Sequence, residues 1–216
     1  MKYKLAIFDM DGTILDTLND LKDSLNYVLN MFGMPTRSLE EVRSFIGNGI
    51  RLLIERGVPK NTPSEQTDKV FKMFNEYYAV HCADTTKPYD GIEKIILKLK
   101  ENGIKVAVVS NKSDYAVQSL CKQYFDGLFD FAVGACEGVR KKPYPDTVNK
   151  VLKKFDISKD DAVYIGDSEV DVETAQNAEM DCISVDWGYR DRDVLINAGA
   201  KLIVSDTANL LKEIIG

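Results

Sequence analysis

The strongest constraint on this chain is a repeated pattern in which a short apolar run stops abruptly at polar or acidic residues. Leu5 to Phe8 is followed by Asp9-Met10-Asp11-Gly12, and Ile104 to Val109 by Ser110-Asn111-Lys112. Ala162 to Ile165 ends at Gly166-Asp167, and Cys182 to Val185 ends at Asp186. Short runs of this kind without polar alternation are strands buried on both faces. Between them lie helical spacings such as Ile92, Ile95, Ile96 and Leu99, closed by the stop signal Asn102-Gly103. Strands alternating with helices predict an α/β fold with a parallel sheet. The polar tips should then converge in a crevice beyond the carboxyl ends of the strands.

One stretch breaks the alternation. From about Asp16 to Thr86 there are helix signals and no convincing strand, so a small all-helical cap domain (16–86) is expected to be inserted after the first strand into a catalytic core formed by 1–15 and 87–216. Asn19 to Met31 sets Leu21, Leu25, Val28 and Leu29 on one face before Gly33. Ser38-Leu39-Glu40-Glu41 reads as a capping box, and Thr62-Pro63-Ser64-Glu65 as another with proline at the first helical position. Gly47-Asn48-Gly49 interrupts the insert.

Charge and cysteine usage narrow the function classes. A formal net charge of −6 provides no global positive field, so nucleic acid is not an expected partner. Cys82, Cys121, Cys136 and Cys182 are scattered, with no CxxC pair, and read as free thiols. The apolar run at the N-terminus is too short for a signal peptide and no run approaches a membrane span. The expectation is a cytoplasmic protein whose partner is neither nucleic acid nor membrane.

The polar tips suggest a chemistry. Asp9 and Asp11, one residue apart in an extended segment, can point the same way toward one phosphorus. One carboxylate can attack a phosphoryl group while the other protonates the leaving alkoxide and later deprotonates water. The same four residues also make a tight acidic turn, with Gly12 supplying an unusual backbone angle. Asp9, Asp11 and Asp167 offer oxygen ligands suited to Mg²⁺, Asp11 through its main-chain carbonyl. Asp171, four residues after Asp167, can equally be a helix N-terminal acid. Clustered carboxylates and a phosphate require fixed positive charge and donors. Ser110 and Asn111, at an expected strand-to-helix turn, and Lys142, ahead of Pro143, are the candidates. A Ser-Asn turn is also a routine cap and a lysine cluster a routine surface. His81 is assigned no role, and Trp187 and Tyr189 are read as packing residues.

Taken in order, Phe8-Asp9-Met10-Asp11-Gly12-Thr13, Ser110-Asn111-Lys112, Lys142-Pro143 and Gly166-Asp167-Ser168-Glu169-Val170-Asp171 resemble the four motifs of the haloacid-dehalogenase-like hydrolase superfamily over essentially the whole chain. The resemblance implies a Rossmann-like core, Asp9 as nucleophile, Asp11 as general acid and base, Ser110 and Lys142 holding the phosphoryl group, and Asp167 as a magnesium ligand, with Asp171 acting mainly through a bound water. The insert would close over the site, and the partner would be a small phosphorylated metabolite bound by a monomer or weak homodimer. Within the superfamily the chain looks most like the phosphoglycolate phosphatases, which share this opening, the second motif and a Gly-Asn-Gly element. Gly12, Thr13, Asn111, Gly47, Asn48, Gly49 and Arg51 are then candidate substrate-binding residues, Arg51 toward a substrate carboxylate.

Other activities use related parts. A dehalogenase would leave Asp11 without a task, because a halide departs unprotonated. Sugar-phosphate mutases of this group resemble Gly-Val where this chain has Gly12-Thr13. A pyrophosphatase would share the catalytic residues. Among non-enzymes, a receiver-type signalling module places its acceptor aspartate on a later strand than its acidic pair, and a phosphate-ligand binding protein need not keep Asp9, Asp11, Lys142 and Asp167 together.

Overall fold

The computed structural model describes residues 2–216, which divide into two compact units, 2–15 with 88–216 and 16–87. In the first, β1 (Leu5–Phe8), β4 (Lys105–Ser113), β5 (Phe131–Ala135), β6 (Ala162–Gly166), β7 (Asp181–Val185) and β8 (Ile203–Val204) form one six-stranded sheet in the order β5-β4-β1-β6-β7-β8. All its pairings are parallel. Counted along the chain, this is the order 3-2-1-4-5-6, the doubly wound arrangement whose ligand crevice opens where the strand order reverses. Here that point lies at the carboxyl ends of β1 and β6.

The sheet forms where the sequence supplies doubly apolar runs. β1 and β6 are buried at every position. α5 (Ile92–Glu101) and α6 (Asp114–Tyr124) pack on β4, α8 (Glu169–Asn177) on β6 and β7, and α10 (Thr207–Ile215) on β8 and α5. α7 (Asp146–Phe155) buries Val148, Val151 and Leu152, and the short α9 (Arg192–Asn197) buries Leu195. Beneath the crevice, Leu5, Ile7, Ala107, Val109 and Tyr164 belong to one apolar cluster. β5 and β8 were not expected. β5 is a five-residue strand that includes Gly134 and is only partly buried, and β8 has two residues, so neither carries a long apolar signal.

The second unit contains four helices, α1 (Leu18–Met31), α2 (Leu39–Phe45), α3 (Ile50–Gly57) and α4 (Ser64–His81). α1 buries Leu21, Leu25, Val28 and Leu29, the predicted face, and packs on α4, which buries Val70, Phe74 and Tyr78. The Ser38–Glu41 capping box forms. The second one does not: Pro63 is the N-cap, and the Thr62 hydroxyl donates instead to the Pro59 carbonyl. Proline lacks the N–H that a capping box closes on. The chain crosses between the units through a two-stranded ribbon of β2 (Leu15–Asp16) and β3 (Lys87–Pro88). Just inside the helical unit, the buried Asp20 carboxylate accepts hydrogen bonds from the backbone N–H and hydroxyl groups of both Thr85 and Thr86, at 2.5–3.2 Å. Among the described residues no helix is long and apolar enough to cross a membrane.

Candidate active site

The site is built on strand ends. Asp9 immediately follows β1, and its N–H donates to the Ile165 carbonyl of β6 at 2.8 Å, which fixes it at the crevice. The chain then turns sharply: Ile14 and Leu15 N–H groups donate to the Met10 carbonyl, and Gly12 N–H to the Leu15 carbonyl. Gly12 has φ +86°, and a β-carbon there would stand 2.3 Å from an Asp167 carboxylate oxygen, so glycine is required by both angle and space.

Asp167 leaves β6 opposite Asp9. Its oxygens accept from the Thr13 hydroxyl at 3.0 Å and the Tyr189 N–H at 2.7 Å. Thr13, expected to bind substrate, thus orients a carboxylate. Trp187 and Tyr189, expected only to pack, also serve the site, since Trp187 Nε1 donates to the Thr13 carbonyl at 3.1 Å. Between them Gly188 lies so close that a β-carbon would be 2.4 Å from Asp167 and from the Gly12 carbonyl oxygen. The signal available in the sequence was the glycine beside the fourth polar strand tip.

Lys142 is the central cation. Its buried ammonium donates to Asp171 Oδ1 at 2.7 Å and to the Tyr164 hydroxyl at 3.0 Å. It also lies 2.8 Å from Asp9 Oδ1. One ammonium is thus shared among Asp171, Tyr164 and Asp9. Burial works against the Lys142 charge, but Asp171 and Asp9 outweigh it and hold the ammonium well above its usual range. The Lys142 backbone is gripped by the Asn111 amide, which accepts from its N–H at 2.9 Å and donates to its carbonyl at 3.1 Å. Asn111 therefore positions Lys142, where the sequence suggested an amide offered to substrate.

The second polar tip also differs from expectation. β4 continues to Ser113 and α6 begins at Asp114, so Ser110, Asn111 and Lys112 lie on a strand, with an irregular register between Val109 and Ser113. Such irregularities re-aim side chains. All three are buried, the Ser110 hydroxyl accepts from the Lys112 N–H at 3.3 Å, and the Lys112 ammonium pairs with Asp11 Oδ1 at 2.9 Å.

Asp171 is the third residue of α8. Its second oxygen accepts from the Ser168 N–H at 3.1 Å and hydroxyl at 2.6 Å, while the first faces Lys142. Both of its oxygens are engaged. Asp9, Asp167 and Asp171 nevertheless bring ligand-type oxygens within 4.8 Å of one another. Burial pushes Asp9 up to about 7, with Lys142 lowering it only in part. Burial and the charges of Asp171 and Asp9 push Asp167 well above its usual range. Four carboxylates (Asp9, Asp11, Asp167, Asp171) stand against two ammonium groups (Lys112, Lys142), leaving a double negative excess when all are ionised. Buried hard oxygens with that excess fit a divalent hard cation.

The remaining candidates lie in the helical unit. Gly49 is the N-cap of α3, and Asn48 Oδ1 accepts from Arg56 at 3.1 Å, so Gly47-Asn48-Gly49 shapes the turn between α2 and α3. Arg51 is paired with Glu55 at 2.6 Å and Asp68 at 2.5 Å.

Comparison with known proteins agrees with this architecture. Residues 6–185 match the family model for haloacid dehalogenase-like hydrolases. The chain is 31% identical to the phosphoglycolate phosphatase of Mannheimia succiniciproducens, over 98% of each chain. It is also 31% identical to phosphoglycolate phosphatase 1 of Pseudomonas aeruginosa, over 96% of this chain and 78% of that one. A crystal structure from Lactobacillus delbrueckii subsp. bulgaricus superposes with a TM-score of 0.94 at 39% identity, covering 99% of both chains. With a family match over most of its length, the chain belongs to the haloacid dehalogenase-like hydrolases.

Proposed function

We propose that the protein is a magnesium-dependent phosphatase of small phosphomonoesters, with 2-phosphoglycolate as the first substrate to test. The observation that carries this reading is Asp9, a buried carboxylate at the tip of the central strand, held against Lys142 with Asp11 two residues on. The relatives named above support the choice of substrate.

In this reading an Asp9 carboxylate oxygen bonds to phosphorus as the ester P–O bond breaks, and Asp11 passes a proton to the departing alkoxide oxygen. Asp11 then takes a proton from water, the water oxygen attacks the aspartyl-phosphate, and inorganic phosphate leaves with Asp9 restored. Lys142 and the Ser110 hydroxyl stabilise charge on the phosphoryl oxygens, and Asn111 keeps Lys142 in place. Magnesium, held by Asp9, Asp167 and the Asp11 main-chain carbonyl, would supply further neutralisation of phosphoryl charge. The test is phosphate release from a panel of 2-phosphoglycolate, sugar phosphates and pyrophosphate. Preference for 2-phosphoglycolate is expected, preference for pyrophosphate would reassign the reaction, and no release from any of them would overturn the phosphatase reading.

Metal and protons should compete for this site. Because burial raises Asp9 to about 7, the native metal-free protein keeps a proton there that the unfolded chain gives up at lower pH. The stability linked to that proton is complete below the unfolded carboxylate range and is lost as pH rises through about 7. A cation that binds the ionised carboxylates restores it. Magnesium is therefore expected to raise the melting temperature more at pH 8 than at pH 5, as measured by scanning fluorimetry. Equal shifts at both values would count against the assigned ligands.

A further inference from the structure

Lys112 is a buried cation that the steps above do not use. Its side chain is only 1% exposed, yet its ammonium is fixed 2.9 Å from Asp11 Oδ1, whose own side chain is 22% exposed. We infer that Lys112 selects substrates whose leaving group carries a negative charge close to the ester oxygen, a small carboxylated phosphomonoester. This rests on the phosphatase reading and on Asp11 as the proton donor.

The argument is one of reach and charge. A proton donor must approach the leaving oxygen within a hydrogen-bond length of roughly 3 Å; with Oδ1 held by Lys112 the proton sits on the other Asp11 oxygen, about 2 Å away, so the ammonium stands within about 8 Å of the leaving oxygen. Substituents one or two carbons from the ester oxygen fall inside that radius. A carboxylate placed there without Lys112 would meet Asp11 and the negative excess of the cluster. With Lys112 it meets a buried ammonium, where low dielectric strengthens the attraction. A neutral hydroxyl gains much less. The strand register is irregular between Val109 and Ser113, and at this end of β4 the Lys112 ammonium meets Asp11.

The experiment compares kcat/KM for 2-phosphoglycolate and 2-hydroxyethyl phosphate, which differ in carboxylate against hydroxymethyl on the same leaving oxygen. Wild type should favour the carboxylated ester, and Lys112→Gln should lower the ratio of the two values by ~10–100-fold, chiefly through KM, with Lys112→Arg recovering part of it. Activity on the neutral ester also reports that the variant is folded. An equal loss on both esters would overturn the inference, because Lys112 would then only hold Asp11, and so would a wild type that does not discriminate between them. In both of those outcomes the phosphatase reading stands. Absence of phosphate release from either ester in wild type overturns the phosphatase reading and this inference with it.

Discussion

Asp9→Asn is expected to lower turnover by at least about 10⁴-fold, the order of effect when a covalent nucleophile is removed. An amide cannot form the acyl phosphate, and no other carboxylate immediately follows the central strand. Asp167 is held from the other side by Thr13 and Tyr189, and Asp171 by Lys142 and Ser168. The substitution removes a negative charge that burial opposes, and Lys142 keeps Asp171 as a partner. Folding should therefore survive, so a melting curve alongside the phosphate assay separates chemistry from collapse. Turnover within tenfold of wild type would remove Asp9 from its role.

The largest stability effect should come from Lys142→Met, which keeps much of the volume and deletes the charge. Breaking a buried pair by removing one partner typically costs about 3–5 kcal/mol, and here two carboxylates lose the same cation. The cost should depend on pH in a defined sense. Without Lys142, Asp9 loses the ammonium that partly offsets its burial, so its native pKa rises further above the unfolded one. Stability is then retained at low pH and lost as pH rises. Denaturant midpoints for the variant should fall far below wild type at pH 8 and much less at pH 5. A loss independent of pH would mean that Lys142 acts there mainly by filling space.

Much of this was legible from the sequence because apolar runs and polar stops are local signals. The runs beginning at Leu5 and Ala162 and their acidic tips needed no knowledge of distant neighbours, and the face of α1 followed from its spacing. The misses share a cause. β5 and β8 are held by neighbouring strands more than by their own composition. The roles of Asn111 and Thr13 depend on partners 31 and 154 residues away, and the pairing of Lys112 with Asp11 spans 101. A side-chain amide in a motif does not reveal whether it faces a ligand or a backbone. Trp187 and Tyr189 were read as packing because Gly188, the one local signal, does not reveal that β7 delivers its neighbours beside Asp167.

The ribbon of β2 and β3, with the Asp20 clasp just beyond it, has a consequence for how such proteins diversify. The helical unit departs from and returns to the core through two paired strands, so the sheet registers the insertion as a single two-stranded stalk whatever its length or contents. A segment so attached can be lengthened, shortened or exchanged without altering any strand of the main sheet, because closing a longer loop adds only a slowly growing entropic cost. The stalk thus makes the helical unit a replaceable module, and the catalytic strand ends a platform that successive modules can inherit unchanged.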